Sequence, residues 1–170
     1  MCIRDSSRRP DYTAYTFLDR GSDERQYCAP GIDLPVASVM RSKYGVYPEY
    51  HTSLDDLDFV TPAGLQGGFD AVCEILTVLE NDDVYRVTTL GEPRLGKHGL
   101  YHSIGGQEFS DRTRLISDIV AYADGETSLL DMAELFGCPV VEMLEPVAEL
   151  VSKGLLVHVD RRPGDRMGSA

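Results

Sequence analysis

The chain has 170 residues, of which 42% are hydrophobic, with 16 Lys and Arg against 28 Asp and Glu. This composition is typical of soluble globular proteins with one medium or two small domains. The net charge of −12 disfavours nucleic acids as partners, because that binding depends on Lys and Arg side chains that neutralise phosphates. The sequence has neither a run of about 18 apolar residues nor a secretory leader pattern. We therefore expect a cytoplasmic protein that has no membrane partner.

Residues 11–83 carry a mixed α/β pattern. Within them, residues 12–18 and 36–40 have the apolar content of two short strands, and residues 41–59 are rich in Tyr, Pro, His and Asp, which predicts a loop. Residues 1–10 match no element signal and are interpreted as a non-native or disordered segment.

A helix is predicted at the end of this region. Thr61 can cap it, and Pro62 suits its first position. Apolar residues then recur at steps of three and four up to about Asn81: Leu65, Phe69, Val72, Leu76 and Leu79.

A second, smaller domain is predicted at residues 111–160, after a Gly- and Pro-rich connector at residues 84–110 that opens with a possible strand at residues 84–90. Residues 161–170 are interpreted as a tail. The second domain is predicted to contain a helix over residues 112–123, a short helix between a cap at Thr127 or Ser128 and a stop at Gly137, a third helix over residues 139–152, and a strand over residues 155–159.

Three helices followed by a strand are the layout of a winged helix-turn-helix, a fold that commonly reads DNA. Residues 111–160, however, contain ten acidic and three basic residues, a net charge of −7. The third helix, which would enter the groove, carries Glu142, Glu145 and Glu149. Because these carboxylates would repel phosphates, we favour a structural or protein-binding winged helix over a DNA-binding one.

The densest group of reactive side chains lies in the loop at residues 47–56. It combines the imidazole of His51 with hydroxyl and carboxylate groups just after a predicted strand, where open α/β sheets place their ligand sites. Taken alone, a single histidine in an acidic loop is more often a surface or hydrogen-bonded side chain than a site residue.

Several short motifs occur in a definite order. They are G-S-D at residues 21–23, P-G-I-D-L-P at residues 30–35, Y-H-T at residues 50–52 with Asp55 behind it, and, in the connector, G-E-P-R-L-G-K-H-G-L-Y at residues 91–101 and I-G-G at residues 104–106. The series resembles the last third of the di-zinc aminopeptidase fold. It is similar to a bacterial aminopeptidase-like family, often associated with polysaccharide biosynthesis, that carries a C-terminal winged helix. The similarity spans residues 12–160. It implies an α/β fold class, in which a partial zinc-aminopeptidase-like domain of sheet and helices precedes a small winged helix-turn-helix domain.

The resemblance assigns roles to single residues. His51 would be a zinc ligand through a neutral imidazole nitrogen. Its other ring nitrogen would need an orienting partner, for which Asp55 or Asp56 is the nearest candidate. The remaining matched residues would lie around the metal site: Asp23 at its rim, and Tyr50 and Thr52 in the pocket wall.

The same resemblance implies two zinc ions in the parent protein and a peptide or related amide as substrate. In the family the other zinc ligands and the catalytic Glu precede the G-S-D motif, so we expect no catalytic residue in this sequence and interpret it as an inactive C-terminal fragment. The alternative is a non-catalytic interaction module, in which the acidic winged helix forms a homo-oligomer or docks on the first domain. A third hypothesis, transcriptional regulation, rests only on the order of the helices.

Overall fold

The computed structural model describes residues 12–100 and 110–160. The described chain divides into two compact units, the first formed by residues 12–76 and the second by the rest. The predictions for residues 1–10 and 161–170, and the connector motif at residues 104–106, lie outside the described residues.

The first unit is built from turns and helices. A 3₁₀ turn at Phe17–Asp19 is followed by a one-turn helix, α1, at Glu24–Tyr27. The long helix α2 spans Pro62–Asn81 as predicted, and its last residues belong to the second unit. Its predicted cap is confirmed, since the Gly64 N–H donates to Thr61 Oγ1 at 3.1 Å.

The two strands predicted in this unit are not formed. Residues 12–16 and 33–40 have neither helix nor strand geometry, and residues 17–19 form the 3₁₀ turn instead. A strand requires a neighbouring backbone to complete its ladder, and none is paired with these segments in the described part of the chain. The mixed α/β character of the whole chain is confirmed, but its described sheet lies in the second unit.

That sheet has three antiparallel strands in the order β2-β1-β3: β1 at Val84–Val87, β2 at Asp124–Ser128 and β3 at Leu156–His158. The strand β1, predicted at the start of the connector, is therefore the middle strand of the sheet. It pairs Val84 with Ser128 on one side and Tyr85 with His158 on the other.

Three helices pack with this sheet: α3 at Asp111–Tyr122, α4 at Leu129–Phe136 and α5 at Val140–Ser152. Their ends follow the sequence signals. Ser128 caps α4 through a capping box with Asp131, and Gly137 ends it in the left-handed conformation at a φ of 67°. The arrangement of α3, β2, α4, α5 and β3 is that of a winged helix-turn-helix, as predicted.

The helices enclose a single apolar core. Its largest fully buried side chains are Ile116, Ile119, Leu129, Met132, Met143, Leu150, Val84 and Val140. Across residues 12–100 and 110–160, none of the helices combines the length and apolar character needed to cross a membrane.

Candidate active-site segment

Three separate stretches of the first unit meet at the carboxylate of Glu24. Its Oε1 accepts hydrogen bonds from the Gly21 N–H at 3.0 Å, the Ser22 N–H at 3.2 Å and the Tyr44 hydroxyl at 3.1 Å. Its Oε2 accepts a bond from the Ser38 hydroxyl at 3.0 Å. These donors, led by the Gly21 backbone, lower the pKa of Glu24 to about 2 despite the opposing effect of desolvation.

The ring of Tyr44 lies directly against the G-S-D turn. A Cβ atom at Gly21 would approach Tyr44 Cε2 to 2.6 Å, so a larger residue at this position would displace the ring. The Tyr44 hydroxyl is also 3.2 Å from the carbonyl oxygen of Asp19. Burial raises the pKa of Tyr44, and the hydrogen bond to Glu24 raises it further.

An aromatic cluster continues from Tyr44 to the predicted zinc ligand. The Tyr44 and Tyr50 ring centroids are 6.1 Å apart, and Tyr50 meets Tyr47 edge-on at 5.8 Å. The His51 ring stacks on Tyr50 with a centroid distance of 3.9 Å and an interplanar angle of 17°. His51 is therefore linked through two tyrosine rings to the turn at residues 21–24.

The backbone at His51 is unusual. Its φ of 59° makes it one of two described non-glycine residues in the left-handed region, the other being Asp33. The His51 side chain is exposed.

The other predicted site residues have mainly local roles. Asp23 is exposed at the N-terminus of α1 and forms no side-chain capping bond there. Thr52 closes its own loop, because its hydroxyl donates to the Glu49 carbonyl at 2.9 Å and accepts from the Leu54 N–H at 3.2 Å.

Neither predicted partner of the His51 ring is seen beside it. Asp55 is exposed, and its N–H donates to the Thr52 carbonyl at 3.3 Å. The Asp56 carboxylate accepts from the N–H groups of Asp58 and Phe59, which fixes the next turn. The described contact of the His51 ring is its stack on Tyr50.

A complete zinc centre is not assembled by the described residues. Within residues 12–100 and 110–160, no three His, Cys, Asp or Glu side chains are grouped so that they could hold a metal ion. Protein zinc sites use three or four such donors, and His51 would be only one of them. The described donor set alone does not fit a zinc ion.

Sequence reasoning missed Glu24 and Tyr44. One signal for Glu24 was available, because a carboxylate three residues after the start of a turn commonly reaches back to the free N–H groups there. Nothing local marks Tyr44, which lies 20 residues away from Glu24 in the chain.

Part of the charged surface of the winged helix is paired within the unit. Arg112 of α3 contacts Glu149 of α5 at 2.7 Å and Glu145 at 3.3 Å, and Lys153 is 3.5 Å from Glu149. The hydrogen bond from Arg112 is the main reason that the pKa of Glu149 is lowered. The helix that would read DNA therefore presents carboxylates on this side.

Comparison with known proteins matches the two parts of the chain to two different family models. Residues 3–82 match a family model described as a domain of unknown function, DUF4910, and residues 83–158 match a winged helix-turn-helix model. A protein of Clostridium acetobutylicum described as "Putative polysaccharide biosynthesis protein with aminopeptidase-like domain" is 39% identical over 125 residues, which are 72% of this chain and 29% of that protein.

A solved structure shares the fold. A crystal structure of a "putative peptidase" from Clostridium acetobutylicum matches with a TM-score of 0.73 and 33% identity, over 84% of this chain and 31% of that one. The chain thus spans less than a third of the length of each of these relatives. The resemblance predicted from the sequence is confirmed: the chain is related to bacterial aminopeptidase-like proteins and carries a winged helix-turn-helix unit.

Proposed function

We propose that this chain is the C-terminal part of a zinc-dependent aminopeptidase-like hydrolase, which removes an N-terminal residue from a peptide or hydrolyses a related amide bond. The observation that carries the proposal is the His51 loop, which is linked through Tyr50 and Tyr44 to the G-S-D turn at residues 21–23. These are the two motifs that the aminopeptidase-like resemblance places at one metal site.

The backbone of His51 supports a functional role for that residue. A non-glycine residue with positive φ costs about 1–3 kcal/mol, and such residues cluster at active sites and ligand clamps. The stack on Tyr50 restricts the ring further. An exposed imidazole that is held in one orientation is suited to donate a nitrogen lone pair to a metal ion.

The apolar surface of the first unit supports its membership of a larger domain. None of its described residues, 12–76, has a buried side chain, and many of its large apolar side chains are exposed. Leu65 and Phe69 of α2, for example, are 66% and 65% exposed. Surfaces of this kind are normally covered by protein, and in each of the two relatives the unmatched part is more than twice as long as the matched part.

On this proposal the chain contributes His51 and the wall formed by Tyr50, while the other metal ligands and the catalytic Glu come from the rest of the parent protein. The chain alone is then inactive, because one imidazole does not retain a catalytic zinc ion. Asp23 and Asp55 would face the site from its rim, and Thr52 would shape the loop. The acidic winged helix would bind neither nucleic acid nor membrane.

The test is hydrolysis of aminoacyl p-nitroanilides by the full-length protein that contains this sequence. We expect activity that a chelator abolishes and zinc restores, and a loss of at least 10-fold for His51→Ala, in the range seen when metal-site residues are altered. His158→Ala is the matched control, since His158 is also an exposed histidine but contacts Asp83 and Asp160 in the second unit. Equal activity of His51→Ala and the wild-type protein would contradict the proposal.

A second candidate function is an assembly module that uses the acidic face of the winged helix. It is favoured by the carboxylates of α5, of which Glu142 and Glu145 are exposed. Light scattering of the chain with and without residues 83–170 tests it. The cut must precede β1, because β1 is the middle strand of the sheet. An unchanged oligomeric state would argue against this role.

A further inference from the structure

We propose that Glu24 and Tyr44 are positioning residues, which hold the His51 loop on the G-S-D turn at residues 21–23. The inference rests on the proposed function only for the role of His51 in metal binding. The positioning itself is a property of the described chain and can be tested without metal.

Glu24 is the point at which the three stretches are joined. Its carboxylate ties together the turn at residues 21–22, the hydroxyl of Ser38 and the hydroxyl of Tyr44. A single carboxylate that accepts four hydrogen bonds from three stretches of the chain fixes the relative positions of these stretches more firmly than isolated surface contacts do.

Tyr44 connects the turn at residues 21–24 to the His51 loop. The hydroxyl end of its ring lies close to Gly21, and its hydroxyl is shared between Glu24 and the Asp19 carbonyl. Lys43 lies over the Tyr44 ring at 4.7 Å, a distance that permits a cation–π contact. Several contacts thus fix the Tyr44 ring, which in turn contacts Tyr50.

The final step is from Tyr50 to His51. The two side chains follow each other in sequence and their rings are parallel within 17°, and the backbone of His51 is left-handed. Since the predicted partners Asp55 and Asp56 have other hydrogen bonds or are exposed, the orientation of the imidazole depends on the Tyr50 stack. The Tyr50 ring is in turn placed by Tyr44 and Tyr47.

Charge strengthens the central contact. At neutral pH Glu24 is ionised, because its pKa is about 2, and Tyr44 is a neutral phenol, because its pKa is raised. A phenol that donates to a carboxylate forms a charge-assisted hydrogen bond, a class that is stronger than hydrogen bonds between neutral groups.

The experiment is NMR of the metal-free 170-residue chain, with the His51 ring protons as the reporter. The wild-type stack on Tyr50 predicts a ring-current shift of these protons away from the values of a free imidazole. Tyr44→Phe removes only the hydroxyl and keeps the ring, so packing against Gly21 is preserved. We expect Tyr44→Phe and Glu24→Gln each to reduce the ring-current shift. We expect the reductions to be less than additive in the double variant, because Tyr44→Phe removes one of the bonds that Glu24→Gln weakens.

Tyr47→Phe is the matched control, since it alters another tyrosine of the same cluster without touching the Glu24 bond. We expect it to leave the His51 signals unchanged. The core methyl signals of Ile116 and Met143 report in every sample whether the second unit remains folded. An unaltered His51 shift in Tyr44→Phe would overturn the inference.

A second readout separates positioning from simple stability. In Glu24→Gln we expect the phenol pKa of Tyr44 to fall toward its ordinary value, because the contribution of the carboxylate is removed while that of burial remains. In the full-length protein we expect Tyr44→Phe to weaken zinc binding by a smaller factor than His51→Ala, because Tyr44 acts on His51 only through Tyr50. If zinc binding does not depend on His51, the proposed function fails while the NMR result still decides the positioning.

Discussion

Each of the two units of this chain is stabilised internally by a different kind of interaction. In the described chain, every buried apolar side chain lies in the second unit, where α3, α4 and α5 enclose one core with the sheet. The first unit, at residues 12–76, has turns, hydrogen bonds and stacked rings but no buried side chain. The second unit has the features of an independent domain, whereas the first leaves apolar surface exposed, of the kind that other protein normally covers.

The largest expected difference between the units is in the loss of unfolding free energy when a leucine is replaced by alanine. Leu150 in α5 is 0% exposed and Leu76 in α2 is 52% exposed. Leu150→Ala should lower the free energy of unfolding by about 2–5 kcal/mol, because it removes buried surface and leaves a cavity. Leu76→Ala should change it by less than about 1 kcal/mol. Urea unfolding followed by circular dichroism measures both, and equal losses would contradict the contrast between the units.

A smaller difference in unfolding free energy is expected when a capping side chain is removed from each unit. Ser128 is buried and shares a capping box with Asp131 at the start of α4, so Ser128→Ala should cost about 1 kcal/mol. Thr16 forms the same kind of box with Asp19, but on a three-residue turn with exposed side chains. Thr16→Ala should therefore alter only local amide exchange. A comparable loss of global stability in both variants would show that the first unit folds cooperatively with the second.

The smallest effect in this series is a pH transition confined to the first unit. The folded pKa of Glu24, about 2, lies below its ordinary value of 4.5, so its contribution to stability is present above pH 4.5. That contribution is lost as the pH falls from 4.5 toward 2. We expect the amide signals of residues 44–51 to shift over this range in the wild-type chain and not in Glu24→Gln. The same transition in both chains would assign it to another group.

The elements that the sequence predicts well are those with local signals. The signals in question are the cap at Thr61, the apolar period of α2, the cap predicted at Thr127 or Ser128 and the stop at Gly137, and each acts within one or two helical turns. The strand β1 was also indicated, but its central place in the sheet was not, because strand order depends on pairing with residues that are 40 and 70 positions away.

The two wrong strand predictions and the missed contact between Glu24 and Tyr44 have one cause, which is that both features depend on residues distant in sequence. Residues 12–18 and 36–40 have strand-like composition, yet composition cannot supply the neighbouring backbone that a ladder requires. The residues of the candidate site were found through motifs, whereas the contact between Glu24 and Tyr44 joins distant positions and carries no motif. The role of His51 as a zinc ligand stays a prediction, and neither its stack on Tyr50 nor its left-handed backbone is indicated by any pattern in the sequence.

The most direct test of the account is the zinc content of the full-length protein, measured by elemental analysis after purification without added metal. We predict bound zinc in the wild-type protein and in His158→Ala, and a clear reduction in His51→Ala. Equal zinc in all three proteins would remove His51 from the metal site and, with it, the peptidase role proposed for the first unit.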